Sequence, residues 1–96
     1  MSPLKRKKLS KIRSELDKLD NSLIKIISKR TNLVKKVLKL KENRSQIVDK
    51  KRIQIILRNI KKKSLKNNID PKITSRIWKN MIWSYIDFER RNFKKK

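Results

Sequence analysis

The sequence predicts an all-α fold of three helices per chain, one long and two shorter, joined in an intertwined helical homodimer. Three observations predict it. Leu9, Leu16, Leu23 and Val37 recur at sevens, and Ile12, Leu19, Ile26, Leu33 and Leu40 form a second series offset by three. That is the a/d pattern by which helices seam together. Neither Gly nor Pro interrupts residues 4–41, and no segment alternates polar and apolar residues in the manner of a strand. The 96 residues fit one domain.

The long helix, read from residue 9 to 41, would span roughly 50 Å at ~1.5 Å per residue. Ser2 and Ser10 are its candidate N-caps. A compact domain of this length has a radius of gyration of only ~13 Å. Two shorter helices of one chain cannot cover such a seam, so a second copy is expected to. Glu42, Asn43, Arg44, Ser45 and Gln46 read as a polar loop. Asp49 can cap a second helix over 50–66, with Ile53, Ile56, Leu57 and Ile60 on its apolar face. Asn67, Asn68 and Ile69 form a turn, and Asp70 followed by Pro71 is a helix start of cap and first-turn proline. The third helix runs to about residue 92, and Ile73, Ile77, Trp78, Met81, Ile82 and Tyr85 mark its inner face. Trp78 and Trp83, five apart, read as packing residues. The division is thus a basic, mobile N-terminus at 1–8, the helical domain at 9–93, and a basic tail at 94–96.

Composition excludes several chemistries. The chain has no Cys, His, Gly or Ala. Zinc sites of Cys and His, thiol nucleophiles, disulfides, a Ser-His-Asp triad and Gly-rich phosphate loops are all out of reach. No metal or cofactor site is expected. No apolar run approaches the ~20 residues of a membrane helix, and no signal-peptide core follows the basic start. We expect a cytoplasmic chain.

Lys and Arg number 31 against 8 Asp and Glu, a net charge of +23. Such a charge can draw nucleic acid by counterion release. It can also follow from A/T-rich codons, which favour Lys, Ile and Asn over Gly and Ala. The position of the cations relative to the seam separates the two readings.

Arg30 occupies a seam position, where an unpaired guanidinium is costly. Lys41 lies eleven residues on, within ~20° of whole turns and about 16 Å along the axis. Two long side chains at that separation can bracket a small dianion. Arg13 points ~100° away from Arg30 and lies about 25 Å from it; across an antiparallel dimer it can reach the partner's ligand. Each has a plainer reading. Arg13 and Asp17 are spaced as a surface ion pair, Arg30 can snorkel, and Lys41 suits a helix C-terminus. Asp49 and Arg52 are spaced three apart as a cap and local pair. Glu89 continues the inner face of the third helix after Ile82 and Tyr85, an unusual place for an acid.

The ordered set Ile12, Arg13; Leu16, Asp17, Lys18, Leu19, Asp20; Leu23, Ile24; Ile27, Ser28, Lys29, Arg30; Val34, Val37 and Lys41 resembles the all-helical (AroQ) class of chorismate mutases. The likeness continues through Val48, Asp49, Lys50, Lys51, Arg52, then Ile69, Asp70, Pro71, and on to Glu89. The resemblance implies a dimer whose long helix serves both sites. Arg13 would reach the partner's site and bind one substrate carboxylate, and Arg30 the other. Lys41 and Glu89 would donate to the ether oxygen. Asp49, Arg52 and Tyr85 would complete the substrate-binding set. Ile53 stands where many members have Glu against the substrate hydroxyl, which leaves the backbone at Asp49 to meet that group.

The reaction so implied is the rearrangement of chorismate to prephenate, a unimolecular shift that needs no nucleophile, metal or cofactor. Fixed cations would hold the two carboxylates in a near-attack geometry, and Lys41 and Glu89 would stabilise charge on the departing oxygen. Glu89 can donate only while its carboxyl carries a proton. The alternatives are the sister isochorismate pyruvate lyase activity, a catalytically silent helical dimer, and a basic helical nucleic-acid binder that would depend on the lysine clusters at 5–8 and 61–63.

Overall fold

A computed structural model describes residues 1–94. The elements in order are α1 (Pro3–Leu40), a 3₁₀ turn (Arg44–Gln46), α2 (Lys50–Lys66) and α3 (Pro71–Asn92), with no strand among the described residues. The chain divides into two compact units, Met1–Leu33 and the part from Val34 onward.

The first unit is the greater part of α1. Ser2 starts the helix, its hydroxyl accepting from the Lys5 backbone N–H at 3.3 Å, and Pro3 takes the first helical position. Of the two candidate N-caps Ser2 is the one used, and the helix takes in most of the basic segment set apart as 1–8. Its 38 residues bury no side chain fully. Ile12, Leu16, Leu19, Leu23 and Ile26 are all exposed.

The second unit holds the core. Ile47, Ile82 and Ile86 are buried together, and Val48, Ile53, Ile56, Leu57 and Phe93 pack on them. Asp49 caps α2 by accepting from the Arg52 N–H at 3.0 Å. Asp70 caps α3 by accepting from the Lys72 N–H at 2.9 Å, with Pro71 next. Both starts are where the sequence puts them. Between them, Asn68 is left-handed at φ 57°. The Ile69 N–H donates to the Ser64 carbonyl at 2.8 Å and the Asn68 N–H to that of Leu65 at 3.2 Å, a Schellman closure. In a chain without Gly, Asn is the residue that best tolerates this backbone. Asn68→Val is expected to lower the unfolding free energy by about 1–2 kcal/mol, and Asn68→Gly to leave it equal or higher, in urea denaturation. Below the turn, the buried hydroxyls of Ser64 and Thr74 share a hydrogen bond of 2.6 Å that ties α2 to α3.

Two expectations need correction. Ile73 and Ile77 are exposed, and the inner stripe of α3 is Thr74, Ile82, Ile86 and Glu89, with Trp78 and Tyr85 half-buried beside it. An apolar period marks two neighbouring stripes here, and the α2 contact selects one of them. Trp83 is likewise exposed rather than packed within the chain. Of the expected basic tail, Lys94 is non-helical, and Lys95 and Lys96 lie outside the described residues.

Candidate active site

The loop from Lys41 to Asp49 builds one wall of a site in the second unit. Lys41 follows α1, its N–H still bonded to the Leu38 carbonyl at 3.2 Å. The polar segment after it is more ordered than a plain loop. Gln46 folds its side-chain oxygen back to accept from the N–H groups of Glu42 (2.6 Å) and Asn43 (3.0 Å). The next residue, Ile47, is buried in the core and fixes the loop's return. The spacing from Asn43 to Gln46 is that of a capping box, a signal in the sequence that the loop reading passed over.

Lys41 turns its ammonium toward α3. Its Nζ lies 2.8 Å from Glu89 Oε2 and 3.5 Å from the Ile47 carbonyl. Glu89 is only 6% exposed. The acid on the apolar stripe thus has a cation as its neighbour, as a buried carboxylate requires. The contact is the plainer reading of Glu89, a partner for a lysine.

Lys41 also lines a solvent-open hollow of about 680 Å³. Lys41, Asp49, Val48, Gln46, Lys50 and Lys51 are among its lining residues. It carries three ammonium groups against one carboxylate, and Asp49 has one oxygen engaged in capping α2. The hollow therefore favours an anionic guest. Gln46, Lys50 and Lys51 were named from the sequence but not as site residues; their place at the hollow depends on the fold of the loop.

Of the other expected residues, Arg52 is exposed in the first turn of α2, and Tyr85 is half-buried on α3, one turn before Glu89. Arg30 and Arg13 belong to the first unit. Arg30 is half-buried and Arg13 is exposed, and among the described residues Arg13 forms no ion pair with Asp17. The second unit thus brings together Lys41 and Glu89, with Asp49 on the wall of the hollow that Lys41 lines. Ile53, in place of an acid, packs on the apolar core. Among the described residues no group of His, Cys, Asp and Glu could hold a metal ion, and no helix is long and apolar enough to cross a membrane.

A family model for chorismate mutase type II matches residues 12–90. The chorismate mutase of Methanocaldococcus jannaschii is 33% identical to the chain over 76 residues, 78% of this chain and 77% of that protein. No solved structure gives a significant match. The matched stretch contains Arg13, Arg30, Lys41, Asp49, Arg52, Tyr85 and Glu89. The chain belongs to the chorismate mutase type II family.

Proposed function

We propose that this chain is a chorismate mutase that converts chorismate to prephenate in a site shared between two copies. The single observation that carries the reading is the Lys41–Glu89 pair, held at 2.8 Å beside a cation-rich hollow. Lys41 donates to Glu89 in this contact, and these are the two residues that the resemblance implies as ether-oxygen donors. Arg30 and Arg52 bind the substrate's carboxylate ends, and Arg13 comes from the partner. Asp49 and Tyr85 line the hydroxyl side.

The reaction needs only position and electrostatics. Binding two carboxylates to fixed cations selects the folded conformer of the substrate and removes the entropy of reaching it. As the ether bond lengthens, negative charge grows on its oxygen. Lys41 donates to that oxygen from one side, and Glu89 faces it from the other. Substrate therefore has to open the direct Lys41–Glu89 contact and place its oxygen between the two.

The dimer is supported by the apolar face of α1. Ile12, Leu16, Leu19, Leu23, Ile26 and Leu33 are each more than half exposed, and the helix buries none of its residues. A stripe of this length, at the a/d spacing, is complementary to a second copy of itself. That pairing also brings Arg13 to the partner's site.

The test is to follow chorismate with purified protein and identify the product. Prephenate, formed without added cofactor, is expected; unchanged chorismate would overturn the reading, and pyruvate released from isochorismate would move it to the lyase. Glu89→Gln, which keeps a hydrogen-bond donor at this position, should retain turnover that Glu89→Ala loses.

A further inference from the structure

Arg44 stands in the middle of the loop between Lys41 and Asp49, and nothing in the chemistry above uses it. Its side chain crosses to the end of α3. Nη2 donates to the Arg90 carbonyl at 3.0 Å, and the guanidinium carbon lies 5.8 Å from the centroid of the Phe93 ring. The Arg90 carbonyl is among the last four of the helix, which have no acceptor role within it. A cation at this end also meets the negative pole of the helix dipole. Phe93 in turn packs on Ile47, Ile82 and Ile86. Arg44 thus fastens the loop to a point one residue beyond Glu89.

The loop and the helix end are tied a second way, through Lys41 and Glu89 themselves. That tie must open when a substrate oxygen enters between them. We propose that Arg44 is a positioning residue, holding the loop that bears Lys41 against the helix end that bears Glu89 while substrate separates the two. The inference rests on the mutase reading. It also gives the effect a signature. Lys41 and Glu89 act on charge that appears in the transition state, whereas ground-state binding of the carboxylates is the work of other cations. Misplacing the donors should lower kcat and leave KM nearly unchanged.

The experiment is steady-state kinetics of chorismate turnover by the full chain and by Arg44→Ala, Arg44→Lys and Arg90→Ala. Arg44→Ala is expected to lose about tenfold in kcat with KM within twofold of the parent. Arg44→Lys, which keeps a cation able to reach the carbonyl, should recover at least half of the loss on a logarithmic scale. Arg90→Ala keeps the carbonyl and should match the parent. Thermal melting separates positioning from folding, since Arg44 is exposed and its removal should shift the midpoint by only a few degrees. A kcat unchanged in Arg44→Ala would overturn the proposal, and so would a fall in kcat that tracks a collapse of the melt and that Arg44→Lys does not recover. An inactive parent protein would instead remove the mutase reading on which it stands.

Discussion

Lys41→Ala is expected to lower kcat/KM for chorismate by about a thousandfold, equivalent to ~4 kcal/mol of transition-state stabilisation. On the proposed mechanism the change removes a donor to the ether oxygen. It also leaves the buried Glu89 without the cation 2.8 Å away, so the free protein should be less stable as well. Lys41→Ala combined with Glu89→Gln separates the two effects. Neutralising the stranded carboxylate should return most of the stability and none of the activity, as read by thermal melting and by chorismate turnover. Activity that recovered along with stability would make Lys41 a structural partner only.

The second large effect lies far from the chemistry. Leu19 is exposed on α1 at 61%. Within one chain, Leu19→Glu disturbs nothing that is packed, and a lone monomer should tolerate it. In a dimer seamed along α1 the same change forfeits ~1.5–3 kcal/mol of burial per copy and buries a charge besides. Sedimentation should show the parent as a dimer and Leu19→Glu as a monomer that keeps its helical circular dichroism. On the proposed shared site, to which the partner supplies Arg13, turnover should vanish with association. Full activity in a monomeric variant would place the whole site within one chain.

What could be read from the sequence was what is decided locally. Asp49 and Asp70 announce helix starts because a cap needs only its own next few residues. Asn67–Asn68 announces a turn because left-handed backbone suits few side chains. The a/d series in α1 announces a long helix, and its exposure in the structure leaves the seam open for a partner. Glu89 could be noticed as an acid on an apolar stripe, but its neighbour could not be named. That neighbour, Lys41, is 48 residues away and arrives by the fold of the loop. The α3 register was misjudged at Ile73 and Ile77 for the same reason. Two adjacent apolar stripes look alike until one knows which meets α2. Arg44 was invisible among 31 cations, since only its contact with Arg90 and Phe93 distinguishes it.

The cations also bear on the net charge of +23. Most of them stand exposed, as codon drift would leave them. The cations that the proposed site uses are few: Lys41 at the hollow, Arg30 half-buried in α1, Arg52 in the first turn of α2, and Arg13, proposed to serve a neighbouring copy.

Mixing two inactive variants tests most directly whether a single dianion is held by groups from two chains. Arg13→Ala and Lys41→Ala each damage both sites of their own homodimer. Unfolded together and refolded in equal amounts, they should give heterodimers in which one site collects both defects and the other collects none. With random pairing, turnover should return to about a quarter of the parent's value. Activity in the mixture no greater than that of the two variants measured separately would contradict a site shared between chains.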